Sequence, residues 1–159
     1  MAETKRRPTS INLTPIAEFR NVDLHIRSRR SLQPLLEAWP SAQTPTRVGT
    51  AAPRWLVLNG PGGKTATETV QKLLRLVHAL PRPARRCWND AATRTFDIGV
   101  QAGLGPRSFE EVHLDRNVLA AISRVGGQLL ITIYPPSTET INSPEELARL
   151  VAKFKRSRG

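Results

Sequence analysis

Thr95-Phe96-Asp97-Ile98-Gly99-Val100 alternates polar or small residues with apolar ones at every step. Side chains on a strand point to opposite faces in turn, so the stretch predicts a strand with one buried and one wet face. Val22, Leu24 and Ile26 repeat the pattern against Asp23, His25 and Arg27. Two strands of this kind need apolar cover on one side only, and the neighbouring helical stripes can supply it.

The longest stripe is Val70, Leu73, Leu74, Val77 and Leu80, set at helical spacing behind Thr65 and Glu68. Thr65 followed three residues later by Glu68 is a capping box, and Pro81 stops the helix. Upstream, Ser31 caps a short helix carrying Leu32, Leu35, Leu36 and Trp39, with Pro34 tolerated in its first turn. Pro83 starts another short helix, holding Cys87 and Trp88. Downstream, Asp115 caps a helix that buries Val118, Leu119, Ile122 and Val125, and Gly126 supplies the left-handed residue that closes it. Trp55–Leu58 is a short apolar strand, and Val112 with Leu114 predicts a strand returning antiparallel to residues 95–100. Gln128–Tyr134, nearly all apolar or β-branched, reads as a central strand. Residues 41–53 have no period and read as a loop. Ser143, Pro144 and Glu146 open a last helix, with Leu147, Leu150, Val151 and Phe154 as its stripe.

The expected fold is therefore α+β: a mostly antiparallel sheet with helices on one face. Residues 54–134 take the ferredoxin-like order β-α-β-β-α-β, preceded by a β-α unit and followed by a C-terminal helix that covers the sheet's edge or its open face. The helix-covered face should carry Val22, Leu24, Ile26, Phe96, Ile98, Val100, Leu129, Ile131 and Ile133. A chain of 159 residues suits one domain. We expect a loose leader over residues 1–20, a single domain over 21–155 and a basic tail over 156–159.

The net charge is +11. At the start Lys5, Arg6 and Arg7 face only Glu3, and at the end Arg149, Lys153, Lys155, Arg156 and Arg158 face no acid. More than half of the excess thus sits in the two terminal segments, and the body's arginines are dispersed. A dispersed body argues against a dedicated phosphate-binding face, and any nucleic-acid affinity is expected to be non-specific and to come from the termini. The lone cysteine excludes an internal disulfide, and with three histidines a zinc site of the usual kinds is not expected. No apolar run is long enough to span a bilayer and the start lacks the apolar stretch of a secretory signal, so we expect a cytoplasmic protein.

The run Ser123-Arg-Val-Gly-Gly-Gln-Leu-Leu-Ile-Thr-Ile-Tyr134 resembles the end of a bacterial family catalogued as domain of unknown function 4279, whose members close with a helix, a small-residue turn and a strand ending in an Ile-Tyr-like pair. The early strand and short helix (Val22–Trp39), the tryptophan-bearing strand (Trp55–Leu58) and the leucine-rich helix (Val70–Leu80) are similar too. The resemblance covers roughly residues 20–136 and departs from the family at Thr132, where an aspartate often sits, and at Gly126-Gly127. It implies no catalytic residues; some members resemble small immunity or accessory proteins.

Two groups of residues invite chemistry. Leu58-Asn-Gly-Pro-Gly-Gly-Lys-Thr65 lies between a strand and a helix, as a phosphate loop would. Leu58 stands where the first glycine of that motif is needed, so only weak anion binding at Gly62, Gly63, Lys64 and Thr65 is expected. Asp97, Glu111 and His113 could meet on the wet face of paired strands, although ordinary cross-strand pairing accounts for them as well. Cys87 beside Arg85 and Arg86 has charge that could lower a thiol pKa, yet its amphipathic setting favours a structural cysteine.

These features point to a small non-catalytic binding or interaction protein, with a protein partner and no cofactor or metal. The alternatives are a nucleic-acid-binding protein using its basic termini, and an enzyme of unrecognised type built on Asp97, Glu111 and His113. The first alternative lacks a stacking platform, because Phe96 is in phase with the buried set.

Overall fold

The longest strand is the hub of the sheet. In a computed structural model that describes residues 17–40, 45–49, 54–103 and 111–135, strand β1 (Glu18–Ser28) pairs antiparallel on one side with β3 (Arg54–Asn59) and on the other with β4 (Thr93–Gln101). β2 (Pro45–Gly49) pairs antiparallel outside β3, and β5 (Gln128–Tyr134) pairs parallel outside β4. The five-stranded mixed sheet runs β2-β3-β1-β4-β5.

The alternation decides what each face meets. Val22, Leu24, Ile26, Phe96, Ile98 and Val100 are all buried, in one core with the helices, as expected. Helix α2 (Ala66–His78) lies on β1 and against α4 (Arg116–Arg124), while α1 (Gln33–Ala38) packs on α3 (Arg82–Asn89). The stripe Val70, Leu73, Leu74 and Val77 is the buried face of α2, and Val118 with Ile122 that of α4. Fully burying one such side chain is worth about 1.5–3 kcal/mol, so these stripes, rather than propensity, hold the helices on the sheet.

The caps follow the sequence with one shift. Thr65 accepts from the Glu68 amide and Asp115 from the Val118 amide, at 3.2 and 2.8 Å. Gly126 has φ of 69°, where a side chain would be strained. The N-cap of α1 is Leu32 rather than Ser31, whose hydroxyl accepts from the Gln33 amide instead. Arg94 joins two helix ends. Its guanidinium donates to the carbonyl oxygens of Trp88 and Asn89 at the end of α3 and to that of Gly126 beyond α4. A cation is well placed there, since unpaired carbonyls gather at helix C-termini.

Four expectations need correction. Residues 45–49, expected in a loop, form β2, whose Pro-Thr-Arg-Val-Gly sequence has no alternation to reveal it. Residues 111–115 form no strand; Val112 and Leu114 pack on the core without pairing. Residues 54–134 therefore run β-α-α-β-α-β among the described residues, with β1 inserted between β3 and β4, which is not the ferredoxin-like order. Finally, β5 is not central. It pairs with β4 alone among the described strands, and Leu129, Ile131 and Ile133 are exposed. The expected C-terminal helix, the basic tail and most of the leader lie outside the described residues, as does most of the 103–108 turn.

Candidate functional site

The same alternation that buries one face of the sheet gathers polar side chains on the other. Register sets Asp23 of β1 opposite Asp97 of β4, with His25 opposite Thr95 and Asn21 opposite Gly99. β5 adds Leu130 beside Asp97 and Thr132 beside Gly99. The Thr132 hydroxyl donates to Asp97 Oδ1 at 2.7 Å, and His25 Nε2 lies 3.5 Å from Asp97 Oδ2. Asn21 donates from Nδ2 to Asp23 Oδ2 at 2.8 Å. A Cβ on Gly99 would run into the Asn21 side chain and the Tyr134 ring, so glycine is what lets those two groups close over the strand.

The two carboxylates are not equivalent. Asp97 is buried but held by a hydroxyl and an imidazole. Asp23 is half-buried, and its Oδ1 has no hydrogen-bond partner among the described residues. Burial pushes the Asp23 carboxyl above the ordinary aspartate value, and the facing Asp97 charge adds to the rise; His25, the Gly60 amide and Asn21 only partly offset them. The arrangement lets the Asp23 carboxyl keep its proton to a higher pH than an ordinary aspartate. It offers no activated nucleophile, and no group of three potential ligands suited to a metal ion occurs among the described residues.

The expected trio is not brought together. Asp97 sits on the polar face, whereas Glu111 and His113 pair with each other at 2.8 Å, exposed, where Thr67 Oγ1 of α2 donates to the His113 carbonyl. Asp97 has His25 and Asp23 as neighbours instead. Both were visible as the polar phase of the first alternating stretch; what sequence could not supply was that β1 and β4 lie side by side.

At the glycine-rich turn, the N-terminus of α2 is already occupied by the chain's own anion. Glu68 accepts from the Lys64 amide at 2.9 Å and pairs with Lys72 Nζ at 2.7 Å, while Lys72 also donates to the Gly62 carbonyl. Hydrogen bonding from Lys72, then from the Lys64 amide, holds the Glu68 carboxyl below the ordinary glutamate value. Gly63 packs on the Thr69 hydroxyl, which donates to the Thr65 carbonyl. A phosphate approaching Gly62, Gly63, Lys64 and Thr65 would have to displace Glu68. We expect calorimetric titration with ATP and magnesium to give no saturable binding at micromolar concentration. Saturable binding that disappears in Lys64→Ala would overturn this.

Cys87 is buried and its thiol donates to the Ser31 carbonyl. Burial pushes its pKa up despite the adjacent arginines, so it is not primed as a nucleophile. A pocket of about 90 Å³, lined by Ser31, Leu32, Leu36, Gly49, Trp55 and Leu56 among others, opens between α1 and β3. Small-molecule sites usually measure roughly 300–1,000 Å³.

Sequence reasoning found β5 with its bounds but missed its exposure at the sheet edge. Leu130, Ile131, Ile133 and Tyr134 are 45%, 53%, 70% and 41% exposed, on a strand with no charged residue. No described helix is long and apolar enough to cross a membrane. Comparison with protein-family models, with curated proteins and with solved structures finds no match.

Proposed function

We propose that the chain is a small, non-catalytic protein-binding module, of the kind the family catalogued as domain of unknown function 4279 would contain, and that it takes up an extended partner segment along β5. The observation that supports this reading is the contrast between the two sheet edges. β2, at one edge, has five residues with Pro45 at its start, Gly49 at its end and a register irregularity between Pro45 and Arg47. Proline, irregular register and shortness are the usual ways an edge is kept from recruiting strands. β5, at the other edge, has seven residues, none of them proline, glycine or charged. Among the described residues no strand pairs with its outer side, so the edge offers backbone donors and acceptors to an added strand, and Leu130 and Tyr134 give that strand side-chain contacts on the polar face.

Selection from a library of extended peptides, followed by amide NMR, tests this. Selected peptides should shift the β5 amides together with Leu130 and Tyr134, and Leu130→Asp should weaken them at least tenfold. Peptides that bind away from β5, or a selection that yields none, would overturn the proposal.

A further inference from the structure

Arginines that lie far apart in the sequence meet at one end of the sheet. β1 ends on Arg27 and Ser28, and Arg29 and Arg30 follow directly. That end is tied to α3 and the residues after it. The Ala92 amide donates to the Arg27 carbonyl, the Cys87 thiol donates to the Ser31 carbonyl, and Arg30 pairs at 2.7 Å with Asp90, the C-cap of α3. Arg82, Arg86 and Asp90 recur at helical spacing, so they share one face of α3, and that stripe leads from Arg82 to Arg30. The triplet Arg27, Arg29 and Arg30 is thereby joined to the triplet Arg82, Arg85 and Arg86.

The fold itself makes little use of these cations. Elsewhere Arg20 pairs with Glu18 and Lys72 with Glu68. Here Arg27, Arg29, Arg82 and Arg86 are exposed and Arg85 is half-buried. Among the described residues the side chains of these five make no hydrogen bond or ion pair; of the six, Arg30 alone has a partner. Helix capping does not account for them either. Arg86 suits the last turn of α3, but Arg82 stands at its first residue, where the helix dipole disfavours a cation. Arg82 also repels Arg85 and Arg86 at helical spacing, with no acid in that turn to offset them.

We infer that this end of the fold binds the phosphate backbone of a nucleic acid, without reading its sequence. The inference goes beyond the strand-accepting edge and does not depend on it. All six cations are arginines, whose planar forks engage phosphate oxygens in pairs. The stripe from Arg82 to Asp90 advances about 12 Å along α3. That is the rise of about three nucleotides of one strand. The surface is also wrong for a protein partner. The large apolar side chains exposed among the described residues all lie on α4 and β5, so the arginines surround no apolar centre of the kind that protein interfaces have.

Fluorescence anisotropy of the full chain with a labelled oligouridine, and with a DNA duplex of equal length, tests the inference. Arg82→Gln/Arg86→Gln removes two phosphate contacts, each worth a salt slope of about 0.7 on a single strand. Oligouridine binding should then weaken roughly tenfold at about 0.15 M salt, and its salt slope should fall by about 1.4. Arg82→Lys/Arg86→Lys keeps the charge and should keep most of that slope. Lys153→Gln/Lys155→Gln removes the same charge near the end of the chain and should cost less than the α3 pair. Absence of saturable binding to either nucleic acid by the unaltered chain would overturn the inference. So would a loss in the C-terminal pair as large as in the α3 pair, or a lysine variant as weak as the glutamine one. Polyglutamate that displaces oligouridine as well as unlabelled oligouridine does would also overturn it, and would make an acidic protein the partner. Leu130→Asp should leave oligouridine binding unchanged, so failure at β5 and failure here are read separately.

Discussion

Trp88→Ala should cost about 3–5 kcal/mol in chemical denaturation, a large fraction of the roughly 5–15 kcal/mol that holds a domain of this kind together. Trp88 is among the largest fully buried side chains of the core, so truncation removes its transfer free energy and leaves a cavity. It also removes a directional tie: the indole Nε1 donates to the Val125 carbonyl at 3.0 Å, joining α3 to the C-cap of α4. Trp88→Phe keeps most of the volume and loses the donor, leaving a buried carbonyl under-satisfied. It should therefore cost about 1–3 kcal/mol, clearly less than the alanine variant. Equal losses for the two variants would show that the hydrogen bond, not the volume, dominates. A loss below about 1 kcal/mol for Trp88→Ala would mean that α3 is not packed as described.

Trp88 also shows where sequence reading stops. Its short helix was legible, since Pro83 marks the start and Cys87 and Trp88 share a face, and both are buried. The long-range partner was not: nothing in a local pattern says that the indole reaches Val125, or that Arg94 joins the same two helix ends. α2 was legible throughout because stripe and cap agree, each being a contact within a few residues. β5 was misplaced for a physical reason. A run of apolar and β-branched residues reports a demand for cover, not a position in the sheet, and an apolar edge strand looks the same as a central one. β2 was missed for the opposite reason, because the devices that blunt an edge, proline and glycine among them, also erase the signal of a strand.

The candidate site was half legible in the same sense. Asp97 stood out, but its companions were sought at Glu111 and His113, because residues 111–114 were expected to pair beside it. Pairing instead comes from β1, which brings Asp23 and His25. An aspartate opposite an aspartate is costly on a sheet, because like charges repel and one carboxyl is partly withdrawn from water. Such a pair contributes nothing obvious to folding, so its effect should be visible when pH is varied.

With Asp23 titrating above its unfolded value, the native state holds a proton that the unfolded chain has already released. Its contribution to stability is therefore greatest below the ordinary aspartate pKa and falls as pH rises through the raised native pKa, then stays constant. Glu68 works in the other direction. Its lowered pKa makes a contribution that is present above the ordinary glutamate value and lost as pH falls through the native one. The two slopes overlap in the whole protein, so the informative measurement is a difference between variants. Asp97→Asn preserves an acceptor for the Thr132 hydroxyl and removes the facing charge. Carboxyl NMR should then find the Asp23 pKa lower than in the unaltered chain but still above the ordinary value, because burial is the larger cause and is unchanged. In parallel, the loss of stability with rising acidic pH should become shallower in Asp97→Asn, while Glu68 titrates as before. An Asp23 pKa that does not move would mean that the Asp97 charge is screened from it, and that the polar face holds two separate acids rather than one coupled pair.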